Sequence, residues 1–296
     1  MINSKFLIDI NNYERLEKIG SGSFSAVFLV KNHGTDKIYA AKMLREEIDK
    51  NSPEFYRLLS QISILFNLAH PAIIKYKGLS IYDFNHEIRP IILTEYMEKG
   101  SLQNVINKEK RAQTPEGWNA TKKLINIFGI ASAMKYLHSH NIAHRDLKPD
   151  NVLEDDNFYP KICDFQLSNF EANRILNSQS DTFGGTPLFM APEIIEIYDD
   201  DGEPVSLFYA DVYSFAMTVF VLMGCQIPTQ KTFFQIARKV TGGERFRINE
   251  SVPASYRKII EDCWVQDPKE RPTFAEIVER LKTDKGFITD EVDIEE

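Results

Sequence analysis

At 296 residues, 43% apolar and 26% charged, the chain has the material for a sizeable core and the balance of a globular protein, which excludes disorder for its bulk. A formal charge of −8 with no long basic run argues against a general nucleic-acid binder. Three well-separated cysteines (Cys163, Cys225, Cys263) form no CxxC pair, so a disulfide framework or cysteine-rich zinc site is not expected and buried free thiols are. The first twenty residues are too polar for a secretory leader, and the longest apolar stretch, Phe215–Cys225, falls short of the ~20 residues that cross a bilayer. A cytoplasmic protein without membrane insertion is expected.

In chain order, residues 1–12 form a short extension. Tyr13–Ile19 reads as a strand leading into a glycine turn, with Ala26–Lys31 and, after a turn-rich His33–Asp36, Lys37–Leu44 as further strands. Ser52-Pro53-Glu54 opens a helix by capping and first-turn chemistry; Phe55, Leu58, Leu59, Ile62, Leu65 and Phe66 carry it to about Leu68. Ile73–Leu79 and Pro90–Tyr96 read as two more strands. After Lys99-Gly100-Ser101 helices take over: a long one at Trp118–Ser139, an apolar and buried one at Tyr209–Gly224, then Ser255–Val265 and Thr273–Thr283. The acidic tail, 284–296, is expected to fray. The pattern predicts an α+β chain with a small β-rich lobe (13–97) and a larger helical lobe (98–283).

Three stretches carry chemistry. Gly20 and Gly22, two apart at a strand turn, allow backbone N–H groups to approach phosphate closely, although taken alone they read first as a plain hairpin turn. Lys42 sits among apolar neighbours on a strand and calls for an anionic partner, which a phosphate would satisfy. His144-Arg145-Asp146-Leu147-Lys148-Pro149-Asp150-Asn151 concentrates ionisable groups between apolar segments. With Asp164 downstream it can supply a base, a cation and two oxygen ligands for a hard metal such as Mg²⁺.

The ordered set resembles a eukaryotic-type protein kinase domain over roughly Tyr13 to Leu281. It comprises the glycine loop, Ala40-Ala41-Lys42, His144-Arg145-Asp146 with Asn151, Asp164-Phe165, Ala191-Pro192-Glu193, Asp211–Phe215 and Cys263-Trp264 through Arg271-Pro272. The resemblance implies a two-lobed kinase fold, ATP and Mg²⁺ as cofactors, and a protein substrate. It implies that Lys42 binds the α- and β-phosphates, that Asp164 and Asn151 hold Mg²⁺, that Asp146 orients the substrate hydroxyl, and that Lys148 steadies the γ-phosphate. Val27, Ala40 and Leu153 would sandwich adenine, and the backbone around Glu95 and Met97, after Thr94, would hold its edge. Glu193 and Arg271 would form a buried structural ion pair. Lys148 and Gly185-Thr186-Pro187 point to the serine/threonine class, while the segments around Glu95–Leu102 and Cys263–Phe274 lean toward tyrosine-kinase-like sequences; tyrosine or dual specificity stays open. Arg145 would receive a phosphate on the activation segment, with Thr182 the candidate phosphosite and an upstream kinase or regulatory partner as its source.

The pattern breaks at three positions. Ser25 replaces the third glycine, a mild change. Gln61 stands where the family places the glutamate that pairs with the strand lysine; its oxygen can accept from Lys42 but carries no charge. Gln166 follows Asp164-Phe165 where glycine is usual, and narrows the backbone angles open to that segment. Two readings follow: an active but weakly assembled kinase, favoured because Lys42, Asp146, Asn151 and Asp164 remain, or a pseudokinase acting as a nucleotide-binding or protein-interaction scaffold.

Overall fold

The computed structural model describes residues 3–22, 25–164, 187–197, 206–227, 233–289 and 292–293. The positions of Gln166, Thr182 and Thr186 lie outside these. The chain forms two compact units; among the described residues the first takes 3–69 and 73–97, the second 70–72 and 98 onward.

The first unit is an antiparallel sheet of β1 (Tyr13–Ser21), β2 (Ser25–Asn32), β3 (Ile38–Leu44), β4 (Tyr76–Ser80) and β5 (Ile91–Glu95), in the order β1-β2-β3-β5-β4. The β2–β3 turn forms because Asn32 Oδ1 accepts from Gly34 N and Thr35 N (3.1 and 3.0 Å). Helix α1 (Pro53–Leu65) joins β3 to β4; Ser52 Oγ caps it by accepting from Phe55 N (3.1 Å). Its buried stripe, Phe55, Leu58 and Ile62, packs with Leu79 and Ile92 on one sheet face. The other face buries Val30, Ala41, Ile91 and Leu93 under Ile10. The described part of the extension, 3–12, forms two short 3₁₀ turns (Ser4–Phe6, Ile10–Asn12) and supplies core through Ile10.

Several boundaries differ from expectation, and two of them have a local cause. Helix α1 stops at Leu65, not Leu68, because Asn67 N bonds Ile64 O (3.0 Å) and its side chain donates to Ser63 O (2.8 Å), tightening the last turn. β4 begins at Tyr76, not Ile73: Ile73 and Ile74 are buried in the connection, where Ile73 makes an isolated bridge outside the ladder.

In the second unit Ser101 caps α2 (Leu102–Lys110) and Asn119 caps α3 (Ala120–Ser139). The hairpin of β6 (Val152–Glu154) and β7 (Pro160–Ile162) follows. Gly129 on α3 lies against it: a Cβ there would be 2.5 Å from Pro160 Cγ. Then come α4 (Pro192–Ile197), α5 (Leu207–Leu222), α6 (Phe233–Thr241), α7 (Ala254–Cys263) and α8 (Phe274–Thr283), the last opened by a Thr273/Glu276 capping box. Every side chain of α5 from Ala210 to Leu222 is buried, so it is the unit's axis. The start of the acidic tail is docked, not frayed. Lys285–Phe287 makes a 3₁₀ turn, Phe287 is fully buried, and its carbonyl accepts from Tyr256 Oη (3.0 Å), because the aromatic pair outweighs the cost of ordering three residues. Among the described residues no helix is long and apolar enough to cross a membrane.

Candidate active site

The loop 144–151 is built from its anchor outward. Asp211, buried in the first half of α5, accepts from His144 N (2.8 Å), Arg145 N (2.8 Å) and His138 Nε2 (2.9 Å). Three donors satisfy a carboxylate that its apolar helix could not hold alone. They also hold Arg145 in the left-handed region, φ 70°, a conformation that costs a non-glycine residue roughly 1–3 kcal/mol. His144 is fully buried; desolvation pulls its imidazole below the ordinary range, against the pull of Asp211 and Asp146. Its Nδ1 accepts from Asp146 N (3.3 Å), which sets the tautomer.

From that base Asp146 presents a carboxylate gripped from two sides. Lys148 Nζ donates to both oxygens (2.9 and 2.8 Å). Asn151 Nδ2 donates to Asp146 Oδ2 (2.8 Å) and to its carbonyl (2.7 Å). Asn151 thereby has its amide nitrogen committed, leaving Oδ1 as the atom it can offer a metal. The β6–β7 ladder continues past Val152↔Ile162, with Cys163 N donating to Asn151 O (2.9 Å). Asn151 and Asp164 thus leave the same end of one hairpin. Asp164 has φ 63°, a second strained residue in the cluster. Leu153 is half-buried on β6, its backbone bridged to Ser101.

In the first unit, register places Val27 opposite Lys42, Leu29 opposite Ala40, and Ala40 opposite Thr94. Directly paired residues project to the same side, so Val27, Ala40, Lys42 and Thr94 share the face that α1 packs on, through Ile92 opposite Lys42. Gly20 lies opposite Val27, and Gly22 N donates to Ser25 O (2.9 Å). Arg45 holds this turn by donating from Nε to Gly22 O (2.9 Å) and from its guanidinium to Ser21 Oγ. Glu95 is tied to the connection before β4: its N–H donates to Lys75 O (3.0 Å) and its carboxylate accepts from Lys75 N (2.9 Å). Met97 follows β5 at the end of this unit.

Gln61 departs from expectation. Its Oε1 is buried and accepts no hydrogen bond among the described residues, so it takes none from Lys42. The amide oxygen thus accepts nothing where the family pattern implies a charged acceptor.

Sequence reasoning missed Asp211 as the loop's anchor and Arg45 as the clamp on the glycine turn. A lone acid inside an apolar helix was a signal for the first, since such a charge needs buried donors; nothing in spacing marks the second. Glu193 and Arg271 pair bidentately (2.6 and 2.8 Å) with the arginine side chain wholly buried.

The sequence model of the family described as "Protein kinase domain" matches residues 13–281. The chain is 34% identical over 271 residues to "Serine/threonine-protein kinase CTR1" of Arabidopsis thaliana, covering 90% of this chain and 31% of that one. It is 33% identical over 264 residues to "Probable serine/threonine-protein kinase drkD" of Dictyostelium discoideum (88% and 19%) and 31% over 276 residues to "Dual specificity protein kinase pyk3" of the same organism (92% and 18%). The chain thus spans about a third or less of the length of these curated relatives. A motif set in order along the chain, a five-stranded sheet with one helix, a helical second unit and a match over residues 13–281 agree: this chain belongs to the protein kinase domain family, with the family's two-lobed fold.

Proposed function

We propose that the chain is an active protein kinase that transfers the γ-phosphate of ATP to serine or threonine hydroxyls of a protein substrate. The observation that carries this reading is the mutual grip of Asp146, Lys148 and Asn151. It supplies a fixed acceptor for a hydroxyl proton beside a cation for the transferring phosphoryl group. The substrate oxygen attacks the γ-phosphorus as its proton passes to Asp146. The bond from that phosphorus to the β-phosphate oxygen breaks, and Lys148 offsets the charge that gathers on the phosphoryl oxygens. Lys42 holds the α- and β-phosphates; Gly20 and Gly22 let the backbone approach them. Val27, Ala40 and Leu153 supply the apolar surfaces for adenine, and backbone groups near Glu95 and Met97 supply its edge contacts.

The donor set suits Mg²⁺: Asn151 Oδ1 and the Asp164 carboxylate are hard oxygen ligands. No group of three or more His, Cys, Asp or Glu among the described residues forms a self-sufficient metal cage. Bound there, Mg²⁺ neutralises phosphate charge. Phosphorylation of Thr182 by an upstream kinase, with Arg145 as receiver, is the proposed means of activation.

The unbonded Gln61 oxygen favours a second reading, a scaffold with little or no turnover. One assay separates the two. Purified protein with Mg-ATP and a basic protein substrate is expected to gain thermal stability from nucleotide and to place label on serine and threonine. Label confined to tyrosine overturns the specificity; no label overturns the kinase, and a thermal shift without label marks the scaffold.

A further inference from the structure

We propose that residues Ser4–Asn12 are a strap that fastens the C-terminal end of α1 to the sheet, in place of the charge that Gln61 lacks, with Phe6 as its positioning residue. This rests on the kinase reading for its consequence, but not for its geometry.

The strap touches both faces of the sheet. At one end Ile10 is buried with Val30, Ala41, Ile91 and Leu93 on the face away from α1, and Asn12 O accepts from His33 N (3.0 Å) beyond the β1–β2 pair. In the middle it crosses the edge strand. β4 ends the sheet order, and Leu7 pairs with Leu79 in parallel, with Ile8 N donating to Leu79 O (3.0 Å). An otherwise unpaired edge is thereby covered. Ile8 fits there only because residue 78 is glycine: a Cβ on Gly78 would lie 2.5 Å from Ile8 Cγ2. At the other end Asn3 Oδ1 accepts from Lys5 N (3.1 Å) and folds a turn that lays Phe6 flat on Phe66, with ring centroids 4.3 Å apart and planes at 19°. Phe66 is the C-cap of α1; its N–H still bonds Ile62 O (3.4 Å), and its ring meets Tyr76 of β4 edge-on at 6.0 Å.

Among the described residues, α1 is otherwise attached by apolar packing led by Phe55, Leu58 and Ile62 and by the edge contact of Phe66 with Tyr76. The burial that drives such packing is non-directional, so the hold on the helix along its own axis comes from how side chains interlock at its ends. Gln61, which could have added a directional bond, adds none through Oε1. The Phe6–Phe66 stack is directional and lies about a turn and a half beyond Gln61. Lys42 is opposite Ile92, a member of the core that α1 completes, so a shift of α1 reaches the surroundings of Lys42.

The full chain carrying Phe6→Ala or Phe6→Leu, each with and without Gln61→Glu, is followed by hydrogen–deuterium exchange and by phosphoryl-transfer kinetics. Phe6→Ala is expected to speed exchange in the last turn of α1 several-fold, with the α3 and α5 peptides unchanged. It is expected to lower kcat about five-fold at unchanged substrate KM. Phe6→Leu keeps part of the packing and falls between, and Gln61→Glu restores kcat to Phe6→Ala. Unchanged α1 exchange in Phe6→Ala overturns the strap, as does a loss of kcat that Gln61→Glu does not relieve. Absence of transfer by the unaltered protein sinks the kinase reading alone; the exchange comparison then decides the strap.

Discussion

Asp211 shows how one residue sets the geometry of a loop sixty-odd positions away. Its two oxygens hold two consecutive backbone N–H groups and a ring N–H, and so hold Arg145 at a positive φ. Asparagine there would turn one acceptor into a donor facing donors. Asp211→Asn is expected to leave at least one buried N–H unpaired, at about 1–3 kcal/mol, and to lower kcat as Asp146 loses its base. Chemical denaturation and kinetics on the variant check this; wild-type stability would contradict it. Glu154 gives a second residue-level test. It is fully buried on β6, and desolvation, opposed by the Asn126 hydrogen bond (3.3 Å) and aided by Asp155, raises its carboxyl pKa to about 8. The folded protein keeps this proton to about pH 8, whereas the unfolded chain releases it near 4.5. Between those values the native state holds the extra proton, so its stabilising effect is complete below about pH 4.5 and is lost as pH rises through about 8. Glu154→Gln is expected to flatten the fall of Tm across that window. A slope equal to wild type would contradict it.

At the scale of elements, the strap, the β6–β7 hairpin and the turn at Lys285–Phe287 do what the long helices cannot: they fix ends. Phe287 is fully buried against Tyr256, edge-on at 5.0 Å. Phe287→Ala is therefore expected to destabilise the protein by about 3–5 kcal/mol, and truncation after Thr283 by at least as much, both read by denaturant titration. A loss under 1 kcal/mol would mean that the turn is ornamental. These short elements were also the least legible. β1–β3, β5, α1, α3, α5, α7 and α8 follow from alternation, helical spacing and capping residues. α2 carries Leu102, Val105 and Ile106 at helical spacing, but nine residues are too few to stand out. β6 and β7 have three residues each, below the length at which alternation registers. The docking of Phe287 and Phe6 depends on partners remote in sequence, which no local pattern announces.

At the scale of the molecule, the family motifs survive while one positioning bond does not. Asp146, Lys148 and Asn151 were legible as a cluster because polar groups between apolar segments are costly unless they bond one another, and they do. The loss at Gln61 was legible as a missing charge, but its buried, unbonded oxygen was not: that depends on where α1 lies against the sheet. On the proposed kinase reading, the chemistry is intact and substitute fastenings hold it. Its most direct test compares unaltered protein with Asp146→Asn in one phosphoryl-transfer assay with Mg-ATP and a basic protein substrate. The account predicts incorporation by the unaltered protein, a fall of about 10²-fold or more in Asp146→Asn, and an undiminished thermal shift with Mg-ATP in both. Incorporation that persists undiminished in Asp146→Asn would contradict it.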